Sequence, residues 1–303
     1  MISWPLRTLR HLHCLLLLLA LSAPAWAYKA YLWRVDSPST TLWLYGTVHL
    51  GKADMFPLPP SVMRAFHQSP VAVFELDMDR VPHEITALYG LTLYPKGDSL
   101  SAHMGPQRWQ QLKQALPSLY GMSADAFQKS RPWFLAMTLS MQSLLKDGWS
   151  EQYSVDAWLD REARQQGKTI IGLETTRQQL EAMGQLREDT QISWLFSQLD
   201  PKLIAKQREL MQLAVRSWRQ GEPEQMNDML LQDSPGMTPQ QTKEFAAIML
   251  SGRNRKMADK LVQMLKGKQT AFVAVGALHY AGPDNLLALL RQRGFKPIQQ
   301  DNQ

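Results

Sequence analysis

Short apolar runs bounded by glycine or polar residues recur near both ends of the chain. "AYLWRV", "TLWLYG" and "VAVFELD" come early, "TIIGLE" lies in the middle, and "TAFVAVGAL" and "FKPIQQ" come late. Within them "AVF" and "AFVAV" are continuously apolar, the pattern of strands buried on both faces of a sheet. Longer stretches carry helical spacing instead. "PQRWQQLKQAL", "PWFLAMTLSMQSLLKDG" and "SVDAWLDREARQQG" precede "KTIIGLE", and residues 176–266 read as almost entirely helical. In "TPQQ", Thr238 is a predicted N-cap, Pro239 the first helical residue and Gln241 the reciprocal partner of a capping box. The final "GPDNLLALLRQRGF" is expected to be a short helix that begins at its proline and stops at Gly294. Methionines and tryptophans such as Trp133, Trp158, Trp194 and Trp218 fall at helical spacing and are read as packing. The fold class expected is α/β (α+β): a sheet built by both ends of the chain, flanked by helices and capped by a helical excursion at about 100–266. Residues 28–303 form one domain in this reading.

The first 27 residues are excluded from that domain. Arg7 and Arg10 head an apolar run from Cys14 to Leu21, and Ala25-Trp26-Ala27 gives a small-x-small ending. This is a secretory signal peptide by pattern, too short in its apolar run to span a bilayer. The expected localisation is therefore exported, periplasmic or extracellular, with no stable membrane insertion after cleavage. The single cysteine, Cys14, leaves with the signal, which excludes disulfides, thiolate metal ligation and a cysteine nucleophile from the mature chain. The formal charge of +6 includes Arg7 and Arg10, so the remainder is only mildly basic. An exported protein of this charge is not expected to bind nucleic acid.

Candidate chemistry sits at the ends of the apolar runs. "LYGTVHLG" (44–51) and "AVGALHYAG" (274–282) each run a strand into a glycine, two further residues and a histidine, His49 and His279. "VAVF" ends at Glu75, with Asp77 two residues on, and "TIIGL" ends at Glu174. Parallel strands would bring these ends to one crevice. Imidazoles and carboxylates together suit a divalent metal, and without a metal they still offer general acid/base groups. Asp77 reads equally as a site carboxylate and as a turn residue. Asp156 reads as a helix-start residue complementing the macrodipole, and His67, His83 and His103 as surface or structural. The sequence has neither a Gly-x-Ser-x-Gly elbow nor a His-Glu-x-x-His helix, which argues against serine hydrolases of that type and conventional zincins.

"LYGTVHLG", "FELD", "GLET", "SGRNRKMADKL" and "FVAVGALHYAGPDNLLALLRQRGF" resemble, in this order, the motifs of the TraB/GumN family. That family includes the Tiki proteases and is distantly related to erythromycin esterase and ChaN-like proteins. The resemblance implies a mixed, partly parallel sheet with pseudo-two-fold halves. It implies that His49 and His279 are metal-binding or catalytic, and that Glu75 and Glu174 occupy the family's acidic positions as ligand or base. It also brings Arg253, otherwise read as surface charge, and Asn254 onto the family's Arg-Asn pair, with Arg253 a catalytic candidate. The implied activity is that of a divalent-metal-dependent hydrolase (Mn, Co or Zn), probing peptide or protein substrates as a peptidase or amidase. Two alternatives stay open: a metal-independent His/Glu hydrolase like the erythromycin esterases, and a haem- or iron-binding protein without turnover.

Overall fold

A computed structural model describes residues 29–226 and 234–302; the expected signal peptide, with Cys14, lies outside the described residues. Six strands form one sheet: β1 (Lys29–Asp36), β2 (Thr41–Thr47), β3 (Val71–Phe74), β4 (Thr169–Gly172), β5 (Ala271–Gly276) and β6 (Ile298–Asp301). Their spatial order is β4-β3-β5-β2-β1-β6. β4, β3, β5 and β2 run parallel, whereas β1 is antiparallel to both β2 and β6. The sheet is thus mixed and partly parallel, as the sequence pattern and the resemblance imply.

Burial follows the hydrophobic pattern. Every residue of β3 and β5 is buried, which is why those two segments lack the alternation of a one-sided strand. β4 lies at an edge and is partly exposed along its length.

Eleven helices surround the sheet among the described residues. α1 (Pro60–Gln68) joins β2 to β3. Between β3 and β4 come α2 (Val81–Leu88), α3 (Leu100–Tyr120), α4 (Pro132–Lys146) and α5 (Val155–Gln165). Between β4 and β5 come α6 (Thr176–Gly184), α7 (Glu188–Ser197), α8 (Pro201–Gln220), α9 (Pro239–Ala246) and α10 (Gly252–Leu265). α11 (Leu286–Gln292) precedes β6. The main core packs around the sheet, and a second apolar cluster, including Leu112, Leu135, Leu139 and Leu195, ties α3, α4 and α7 together.

Local signals explain several boundaries. The capping box forms at α9 as the sequence predicts, with both reciprocal bonds between Thr238 and Gln241. α3 is kinked at Gly105, whose φ of 77° only glycine adopts readily. The last helix differs from expectation: it starts at Leu286, with the Asn285 side chain accepting from the Ala288 N–H, rather than at Pro283. A side-chain acceptor for a free N–H outweighs proline's preset φ in fixing the start.

Candidate functional site

The C-terminal ends of the four parallel strands deliver His49, Glu75, Glu174 and His279 to one edge of the sheet, and α10 adds Arg253. The first turn is held from outside the sheet. Gly51 exchanges two backbone hydrogen bonds with Ser150 (3.1 and 3.0 Å), and the Val155 N–H donates to the Val48 carbonyl at 3.0 Å. A side chain at Gly51 would run into the Tyr153 carbonyl, so this approach requires glycine. The clamp brings Asp156, near the start of α5, beneath the turn. Its Oδ1 accepts from the Thr47 hydroxyl, and its Oδ2 lies 3.0 Å from His49 Nδ1. The carboxylate accepts only, so Nδ1 carries a proton, and Nε2 has a free lone pair when the ring is neutral.

The second turn has a different backing. His279 Nδ1 bonds to Asn254 Oδ1, while the Asn254 amide nitrogen donates to the Asp284 carbonyl at 2.9 Å. That second bond fixes which way the amide points, so His279 also donates through Nδ1 and presents a bare Nε2. Both Nε2 atoms face the same oxygen: Glu75 Oε1 lies 3.5 Å from His279 and 4.0 Å from His49. The Gly276 N–H donates to that oxygen at 2.7 Å. A Cβ on Gly276 would lie 2.9 Å from Glu75 Oε1, 3.4 Å from His49 Nε2 and 3.8 Å from His279 Cδ2. The three groups therefore converge on a space that only glycine leaves open.

Glu75 and Glu174 are neighbours because the ladder continues past the strand ends, through the Leu173 and Glu174 N–H bonds to the Phe74 and Glu75 carbonyls at 2.8 Å. Arg253 bridges them. Its Nη2 lies 2.7 Å from Glu75 Oε2 and 2.6 Å from Glu174 Oε2, its Nε reaches both oxygens of Glu174, and its Nη1 donates to the Met249 carbonyl. That carbonyl belongs to a π-helical turn, Ala247–Ser251, immediately before α10; such turns re-aim the residues that follow them. Gln179 of α6 donates to Glu75 Oε2 (3.2 Å) and Glu174 Oε2 (3.4 Å).

The electrostatics separate the two histidines. The Asp156 carboxylate raises the His49 pKa, against the effect of desolvation. The His49 side chain is 65% exposed, so water screens part of that attraction. Burial lowers the His279 pKa and outweighs the pull of Glu75. Burial also works against charge on Glu75, but His279, His49, Arg253 and the Gly276 N–H together hold its carboxyl below the usual range. Two buried carboxylates, Glu75 and Glu174, thus share one guanidinium, while the third, Asp156, pairs with His49.

The structure brings His49, His279, Glu75, Glu174 and Arg253 into this one cluster. Asp77 is not in it, and its side chain does not make the local turn bond either: it pairs with Arg164 at 2.6 Å. Asp156 has a larger role than starting a helix, because it also holds Thr47 and His49. Its bond to His49 spans 107 positions in the chain, and nothing in "SVDAW" distinguishes it from an ordinary first-turn aspartate. Gln179 gave no signal either.

The sequence profile of the TraB/PrgY/gumN family matches residues 31–299, and the chain belongs to that family. It is similar to the uncharacterized protein YbaP of Escherichia coli (strain K12), 29% identical over 251 residues, which cover 82% of this chain and 87% of the relative. Metalloprotease TIKI1 of Danio rerio is 24% identical over 315 positions, covering 88% of this chain and 62% of that protein. Metalloprotease TIKI2 of Xenopus tropicalis is 22% identical over 322 positions, with 88% and 59% covered. No solved structure matches. Among the described residues no group of three or more His, Cys, Asp or Glu is arranged to hold a metal ion, and no helix is long and apolar enough to cross a membrane.

Proposed function

We propose that the protein is an exported, divalent-metal-dependent hydrolase of peptide or amide bonds. The observation that carries this reading is the convergence of the His49 and His279 Nε2 atoms on Glu75 Oε1. Separations of 3.5 and 4.0 Å suit ligands that each lie about 2 Å from a shared ion. Each imidazole is oriented through its other nitrogen, the arrangement that supports metal-ligating histidines. The charge balance agrees in sign, since the carboxylates Glu75 and Glu174 share the single guanidinium of Arg253. The likeness to the TIKI metalloproteases supports the same class.

His49 Nε2, His279 Nε2 and Glu75 Oε1 would hold the ion, with manganese, cobalt and zinc all compatible with this nitrogen and oxygen set. Bound there, it would supply Lewis-acid polarisation of a water and of the scissile carbonyl. Glu174 has both oxygens engaged by Arg253, so it serves as proton acceptor rather than ligand. Its Oε1, bonded only by Arg253 Nε at 3.1 Å, is the freer oxygen. Arg253 fixes the carboxylate pair and keeps one Nη1 hydrogen uncommitted for a developing oxyanion.

Metal content and peptide hydrolysis, measured together, test the reading. The wild type is expected to hold one Mn, Co or Zn ion per chain and to lose activity on chelation. His49→Ala or His279→Ala should reduce metal binding and lower kcat by roughly 10²- to 10⁴-fold. A folded wild type that takes up none of these ions at saturation overturns it. Activity that survives exhaustive chelation would instead favour a metal-independent reaction using the Asp156–His49 pair as the base, an arrangement the 3.0 Å bond allows.

A further inference from the structure

Beside the His279 turn an apolar groove of about 330 Å³ opens between α4, α7, α8 and α9. Leu144, Trp194, Met211, Met237, Phe245 and Leu278 line it. Leu278 connects it to the site: it immediately precedes His279 and remains 37% exposed, unusual for a leucine beside buried polar chemistry. A second link runs through Tyr31, whose hydroxyl donates to the Ala277 carbonyl at 3.1 Å and lies 3.7 Å from Sδ of Met226, another lining residue. The wall is part rigid and part adaptable. Trp194 and Phe245 meet edge to face at 5.3 Å, while the methionines are flexible and polarisable. Ser140, Ser143, Gln198 and Gln207 supply hydrogen-bonding groups around the apolar lining.

We infer that this groove is a specificity subsite that takes one large apolar side chain, aromatic or aliphatic, of an extended peptide whose scissile bond lies over His49, His279 and Glu75. This deepens the peptide-hydrolase reading and rests on it. The volume is at the low end for a ligand pocket and holds one large side chain with room to spare. The continuity through Leu278 places the occupant next to the reacting bond, where binding energy can orient the carbonyl.

The test is a set of internally quenched peptides that vary at one position, carrying Phe, Leu, Met, Ser, Asp or Gly. The wild type is expected to cleave the Phe and Leu peptides with kcat/KM about 10-fold or more above the Gly peptide. Ala214→Trp, which fills the groove, should erase that preference mainly through KM and change Gly-peptide cleavage less than about 2-fold. Met237→Glu, on the segment before α9, reads the same loss if the tryptophan variant does not fold. Equal cleavage of all peptides, or an equal loss on all of them in both variants, overturns the subsite and leaves the hydrolase reading standing. If nothing is cleaved, fluorescence anisotropy of labelled Phe and Gly peptides decides. Phe-selective binding abolished by Ala214→Trp supports the groove as the side-chain site, and unselective binding overturns it, while the metal measurement decides the hydrolase reading separately.

Discussion

His49 and His279 each stand three residues after a glycine at the end of a parallel strand, and their Nε2 atoms face the same carboxylate oxygen. Around them the molecule differs. His49 is 65% exposed and backed by a carboxylate, whereas His279 is 4% exposed and backed by an amide. A carboxylate behind an imidazole stabilises the imidazolium; an amide in a desolvated pocket leaves the ring neutral. One motif therefore yields two chemically distinct groups. His279 is suited to be a permanently neutral ligand, whereas His49 has to give up its Nε2 proton before that nitrogen can bind an ion.

The largest break in this comparison removes what holds both halves together. Arg253→Met would leave Glu75 and Glu174 buried side by side without their cation. We expect a loss of roughly 3–5 kcal/mol, the scale for uncompensated buried charge, read as a lower urea midpoint, together with loss of hydrolysis. An unchanged midpoint would mean that the pair is not charged in the folded protein.

Exchanging the backing groups sharpens the comparison. Asp156→Asn should pull the His49 titration down and weaken metal binding or turnover by about 10- to 100-fold. Asn254→Asp should raise the His279 titration and make the second turn behave like the first. Ring-proton shifts across a pH series of metal-free protein report both. If His49 titrates identically without the Asp156 carboxylate, the assignment of its basicity is wrong.

The smallest expected effect is the pH dependence of stability in metal-free protein. The folded His49 pKa is raised from 6.5 to about 9, so its contribution is full below pH 6.5 and is lost as pH rises towards 9. The folded His279 pKa is lowered from 6.5 to about 4, so its contribution is present above pH 6.5 and is lost as pH falls towards 4. His49→Gln should flatten only the alkaline limb of the urea midpoint against pH, and His279→Gln only the acid limb. Both variants flattening the same limb would contradict the distinct environments.

Much of the fold was legible because its signals are local. The uninterrupted apolar runs of β3 and β5 marked buried parallel strands, and Thr238 with Gln241 marked a helix start through bonds that span three residues. The strand-end positions of His49, Glu75, Glu174 and His279 were legible for the same reason, since the chain must leave a strand where its apolar run ends. Arg253 was reached only through resemblance, because a charged residue early in a helix reads as surface. Asp77 was ambiguous in sequence, and Arg164, 87 positions away, decided its role.

By itself the sequence determined which residues end the buried strands and which glycines sit beside them, because hydrophobic periodicity and turn chemistry act over a few residues. Only the tertiary structure decided that Asp156 backs His49, that Arg253 occupies both glutamates, and that an apolar groove adjoins Leu278. The contacts of Asp156 and Arg253 join segments 79 to 178 positions apart, and their energies depend on burial and orientation that arise once the sheet has closed and the helices have packed against it.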